Sequence, residues 1–290
     1  MQLSERALKD QLVTLSENKF QLPEQADPYE RALEMMPHLG SVDSELRDDL
    51  IYTCLATWIL AEEELFTEEQ LKALLHISLD ESHLFYKLGE SDTDSIFTRS
   101  FSMLLLPLLL IAHRRRPYLT REELLEVKSN IFDYVQREKD LRGYVEEEDK
   151  GWAHAMAHSA DALDDLALCK EMGADDLREI LNAIRGMAAR PEIVYNFEED
   201  ERMVIPVMAA LSRKILKEAD VVEWLESFGP LTEEKEPFPS VYRQALNIKN
   251  FLRSLYFSAR KPKTAVQIGE NSAANLAELT AGILAKISRF

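Results

Sequence analysis

The chain has 290 residues and a formal net charge of −18, from 34 Lys and Arg against 52 Asp and Glu. That balance argues against a general nucleic-acid binder, whose phosphate contacts need a basic face, and against docking on an anionic membrane. It favours solubility and a protein partner with a basic surface. The two cysteines, Cys54 and Cys169, lie inside helical apolar patterns. A disulfide framework is therefore not expected, and a reducing cytoplasm is the natural compartment. The opening residues lack a basic region followed by an apolar core, so no secretory leader is expected. With only 9 Gly in the chain, long helices are a better fit than glycine-rich sandwiches or doubly wound folds.

Apolar periodicity predicts helices over 4–18, 28–38, 43–64, 68–78, 80–88, 93–115, 121–138, 150–171, 175–188, 198–217, 219–227, 240–260 and 271–288. Asp27-Pro28-Tyr29-Glu30 reads as an N-cap followed by proline at the first helical position. Thr67 to Gln70 and Thr120 to Glu123 read as capping boxes. Gly40, Gly89, Gly173 and Gly229 fall where helices are expected to stop. The most apolar run, Met103 to Ala112, is too short to cross a ~30 Å hydrocarbon layer. It reads as a buried core helix, kinked or broken at Pro107. No set of alternating strands is expected. About a dozen helices with short links point to an all-α fold, an irregular HEAT-like superhelix or an array of antiparallel helix pairs. A single domain over 1–290 is expected, with 241–290 as a C-terminal cap after the proline-rich loop 228–240.

The densest polar chemistry lies in the predicted helix 150–171. His154, His158, Asp161 and Asp165 stand at i, i+4, i+7 and i+11, which aligns them on one helix face. Trp152, Met156, Leu163 and Leu166 form the opposite, core-facing side. Histidines at i and i+4 can share a divalent cation, and Asp161 can add an oxygen ligand. The glutamate base of a zincin is missing, because Ala155, Met156 and Ala157 fill the interval. The other reading is a buried polar seam, hydrogen-bonded between helices.

Further candidates are weaker. Asp140 and Arg142 can brace the helix carrying the stripe, or form a structured loop turned by Gly143. Arg99, among hydroxyls at a helix start, can hold an anion or pair with a stripe aspartate. Glu198 to Arg202, with Asp200, opens a helix and reads as a solvated start or a source of metal-ligating oxygens. Arg114 to Arg116 and Arg260 to Lys263 follow apolar helices, and favourable charge at a helix C-terminus explains them. No GxGxxG, P-loop, GxSxG, CxxC or EF-hand pattern is present.

The blocks SIFTRSFSMLLL (Ser95 to Leu106), EKDLRGYV (Glu138 to Val145) and GWAHAMAHSADALDDLA (Gly151 to Ala167) resemble a bacterial family of uncharacterised proteins, the domain-of-unknown-function 2785 family. EEDER (Glu198 to Arg202) and NIKNFLRSLYF (Asn247 to Phe257) add weaker similarity. The resemblance implies a helical, HEAT-like array with no established activity. It also implies that Arg99, Asp140, Arg142, His154, His158, Asp161 and Asp200 belong to one constellation. The resulting expectation is a non-enzymatic cytoplasmic binding or scaffold protein without a cofactor. The alternative is a metal-dependent hydrolase or small-ligand binder, with His154, His158 and Asp161 as ligands and Asp165 or Asp200 as a base or further ligand.

Overall fold

A computed structural model describes residues 3–231, 237–261 and 276–288. Among these the fold is all-α apart from one short hairpin. The helices are α1 (Glu5–Glu17), α2 (Pro28–Met35), α3 (Thr53–Ile59), α4 (Glu68–Ser78), α5 (Ser95–Arg115) and α6 (Arg121–Arg137). They continue with α7 (Ala155–Ala167), α8 (Ala174–Ala188), α9 (Glu199–Ser212), α10 (Glu218–Glu226), α11 (Phe228–Leu231), α12 (Ser240–Ala259) and α13 (Leu276–Ile287). The chain forms two compact units, 1–162 and 163–290, divided within α7.

Local chemistry starts the helices where the sequence predicts. The Asp27 carboxylate accepts from Tyr29 N at 2.8 Å and Pro28 occupies the first turn. Thr67 with Gln70, and Thr120 with Glu123, exchange side-chain and backbone bonds as capping boxes. Gly173 instead starts α8, and Gly229 lies inside α11. Helix α5 runs unbroken through Pro107, which withholds only one backbone donor. It is the one helix among the described residues long and apolar enough to cross a membrane, and most of it is buried within the fold.

Three departures from the predicted elements shape the first unit. Residues 45–52 form a π-helix that runs directly into α3. Residues 80–88 are a run of turns, not a helix. The helix predicted from 150 begins only at Ala155, because β2 (Gly151–Trp152) pairs antiparallel with β1 (Tyr144–Val145).

In the second unit α12 buries Ile248, Phe251, Leu252 and Leu255 as it packs on α9 and α13. Asn247 closes the loop before α9, accepting from Tyr195 N and donating to the carbonyls of Arg190 and Ile193. Arg213 donates to the carbonyls of Ala167 and Cys169, both at 2.6 Å, satisfying the end of α7.

A close main-chain approach in the first unit is Gly40 against α5. A Cβ added there lies 2.8 Å from Thr98 Cβ and 2.9 Å from its Cα. Gly40→Ala is expected to destabilise by about 1–3 kcal/mol in a thermal or urea melt. Adding Thr98→Ala should recover only part of that loss, because the backbone Cα still collides.

Candidate functional site

The site grows from two buried guanidinium groups in the first unit. Arg47 sits in the π-helix, on the same face as Leu46, Leu50 and Ile51, and is fully buried. A buried cation must be paired and hydrogen-bonded. Arg47 donates to Ser41 O at 2.7 Å and to Lys150 O at 2.6 Å, with a longer bond to Trp152 O at 3.4 Å. Its Nε lies 2.7 Å from the Asp48 carboxylate. The guanidinium carbon stands 4.2 Å from the Phe97 ring centroid and 4.7 Å from that of Phe101. One side chain thus ties the π-helix, α5 and β2 together.

Arg99, one turn along α5 from Ser95, is the second. Its Nε and Nη2 donate to Glu138 at 2.6 and 3.0 Å, and both side chains are fully buried. Its remaining donors reach Ser95 Oγ and the carbonyls of Tyr86, Lys87 and Glu90. The partner is therefore Glu138, not a stripe aspartate, and no donor is left for an anion. These carbonyls belong to the run of turns that precedes α5. Glu138 also accepts from the backbone N–H groups of Lys139 and Asp140.

The Asp140–Arg142 pair continues the loop. Arg142 donates to both Asp140 oxygens, at 2.8 and 2.6 Å, and to Thr93 O at 2.8 Å. The carbonyls of Arg142 and Gly143 accept from His154 N, and that of Gly143 also accepts from Ala153 N. The segment is a structured loop whose side chains bond within the first unit and whose main chain meets the backbone just before α7.

His154 is not on the helix. It has φ +46° and stands just before α7, its carbonyl accepting from His158 N at 2.9 Å. Of the predicted stripe, His158, Asp161 and Asp165 lie on α7. Both histidines are buried. His158 Nδ1 donates to Ser100 O at 3.0 Å, since a carbonyl can only accept. Phe101 meets the His158 ring edge-on at 5.4 Å, and the two imidazoles are perpendicular at 5.9 Å. His154 stacks under Trp152 at 4.3 Å. A continuous file of rings therefore runs from Arg47 through Phe101, His158 and His154 to the hairpin.

Among the described residues no group of three or more His, Cys, Asp and Glu side chains is placed to hold a metal ion. His154, His158 and Asp161 are thus not assembled as ligands, and His154's departure from the helix is the physical reason. Asp200 lies in the second unit and accepts from Ser254 at 2.6 Å. Its neighbour Glu199 is buried, which pushes its carboxyl up, so this helix start is only partly solvated. Arg115 and Arg116 donate to the carbonyls of Leu60 and Phe66, and Arg116 pairs with Glu64. Pro262 and Lys263 of the other basic run lie outside the described residues. Both cysteines are buried, and burial pushes the Cys54 thiol up to about 12.

Trp152, expected on a core face, is instead 40% exposed, with Tyr144 directly opposite at 36%. Their rings are perpendicular at 4.8 Å. The turn joining the strands carries Glu146, Glu147, Glu148 and Asp149. Its one cation, Lys150, is bonded to Asp94 at 3.0 Å and lies near Glu147 and Glu148.

Residues 84–257, well over half the chain, match the family described as protein of unknown function (DUF2785). The chain belongs to the DUF2785 family. The matched span holds Arg99, Glu138, the hairpin and α7, whereas Arg47 precedes it. No curated protein and no solved structure matches the chain.

Arg47 and Glu138 are the partners that motif reading missed. The available signal for Arg47 was a lone cation three and four residues before Leu50 and Ile51, on the apolar face.

The environment of Arg47 also sets a pH dependence. Burial pushes the Asp48 carboxyl up from 3.8 to about 6, against the pull of Arg47. The folded chain binds that proton more tightly than the unfolded chain, so its contribution favours folding at acid pH and is lost as pH rises through about 6. Relative to wild type, Asp48→Asn should gain on the order of 1–2 kcal/mol between about pH 4 and pH 7 in urea melts. A stability difference that stays constant over that range would contradict the assignment.

Proposed function

We propose that this DUF2785 member is a non-enzymatic, cytoplasmic binding protein that grips a basic protein segment on its Tyr144–Trp152 hairpin. The carrying observation is the pair of exposed, perpendicular aromatic rings beside a run of four carboxylates. Aromatic faces attract Lys and Arg side chains, and exposed Trp and Tyr on a rigid support are favoured anchors of protein interfaces. The carboxylates add long-range attraction for the same cations. The support is rigid because His154 backs the indole and Arg47 holds the carbonyls of Lys150 and Trp152. On this reading the buried His/Asp stripe and the paired, HEAT-like helices are scaffold, and the hairpin is the working surface.

A fluorescein-labelled nona-arginine peptide is a suitable probe, read by anisotropy at low salt. Trp152→Ala should weaken its binding by about tenfold while leaving the thermal melt nearly unchanged. Trp152→Phe should retain part of the affinity. Equal binding by wild type and Trp152→Ala would refute the proposal.

A further inference from the structure

Helix α12 carries a second surface, of opposite charge and in the other unit. From Ser240 to Lys261 the chain holds Arg243, Lys249, Arg253, Arg260 and Lys261 and not one Asp or Glu, in a protein of net charge −18. Tyr242, Leu246, Lys249, Arg253, Tyr256 and Arg260 stand at offsets of 0, 4, 7, 11, 14 and 18. At ~100° per residue all six fall within a sector of about 80°, on a stripe about 27 Å long. The opposite face, with Ile248, Phe251, Leu252 and Leu255, is spent on the core. Tyr242 is 60% exposed, and Phe257 at the stripe's edge is 67% exposed.

Several surface cations of the protein meet carboxylates: Lys9 with Asp43 and Glu45, Lys72 with Glu123, Arg137 with Asp133, Arg178 with Asp220. Among the described residues, Arg243, Lys249, Arg253 and Arg260 have no carboxylate within ion-pair distance. Arg243 donates to Glu192 O, Arg253 to Asn250 Oδ1 and Arg260 to Tyr256 Oη. Neutral acceptors fix their direction and leave their charge uncompensated. Arg260 also lies over the Tyr256 ring at 5.6 Å. With no carboxylate paired to these four cations among the described residues, the face is complementary to carboxylates from outside.

We propose that this face of α12 docks an acidic amphipathic helix of a partner protein. The stripe advances by alternate steps of three and four residues, the spacing of a helix-on-helix seam, and its mixture of rings, Leu246 and cations suits apolar and acidic side chains together. A long polyanion fits less well. Nucleic acid or an anionic bilayer extends beyond the ~10 Å screening length and meets the acidic remainder of the molecule, whereas a short acidic helix does not.

The probe is a labelled peptide of about 20 residues with leucines on one helical stripe and glutamates beside it, titrated into the intact chain by anisotropy. Wild type should bind, more weakly as salt rises. The triple variant Lys249→Glu, Arg253→Glu, Arg260→Glu should lose about tenfold or more in affinity and still bind nona-arginine, which separates this surface from the hairpin. If charge reversal impairs folding, the corresponding Lys249→Gln, Arg253→Gln, Arg260→Gln variant should give a smaller loss in the same direction. Unchanged peptide affinity in a folded variant would overturn the proposal. So would a 20-base-pair DNA duplex or phosphatidylserine vesicles binding wild type more tightly than the peptide, with that binding lost in the variant.

Discussion

A buried guanidinium needs partners, and much of the first unit is organised around supplying them to the two Nη groups of Arg47. Its bonds draw in the Ser41 carbonyl from its own segment and the Lys150 and Trp152 carbonyls from over a hundred residues away. Rings of α5 supply the faces above it. Burying such a group is expensive, and a hydrophobic side chain of similar volume is often the more stable choice. What the cation adds is direction. A hairpin of two residues per strand has little stability of its own, and here both its carbonyl acceptors and its backing ring are held from below. The exposed Trp152 and Tyr144 are thereby presented in one geometry, which lowers the ordering cost of capturing a ligand.

Arg99 and Glu138 repeat the same logic nearby. Their mutual charge offsets the loss of water, and the remaining guanidinium donors collect carbonyls from the turns that precede α5. The loop carrying Asp140 and Arg142 then hands its own carbonyls to the backbone before α7. The two buried cations thus fix the two sides of the hairpin, Arg99 by way of the 138–143 loop and Arg47 through β2.

Most helices could be read from the sequence because their signals are local. Asp27, Thr67 and Thr120 satisfy N–H groups within three residues, and apolar spacing marks the buried face. At 150–153 a distant group claimed backbone atoms that local periodicity assigned to a helix: the carbonyls of Lys150 and Trp152 went to Arg47. His154 takes a positive φ that no 3.6-residue pattern announces. The site was partly visible. Arg99, Asp140, Arg142 and the two histidines do lie in one unit as a connected polar network. Arg47 belongs to no motif, and the helix whose periodicity puts Trp152 on a core face starts three residues after it. Asp200 shares its sequence block's character but not the unit.

The central claim is that Arg47 holds the hairpin, and native-state hydrogen exchange of Arg47→Met tests it most directly. The methionine keeps the apolar stem and removes every donor. Amides of 144–154 and of the π-helix are expected to lose protection, while those of α8, α9 and α12 keep theirs. Unchanged exchange in the hairpin of a folded Arg47→Met protein would contradict it.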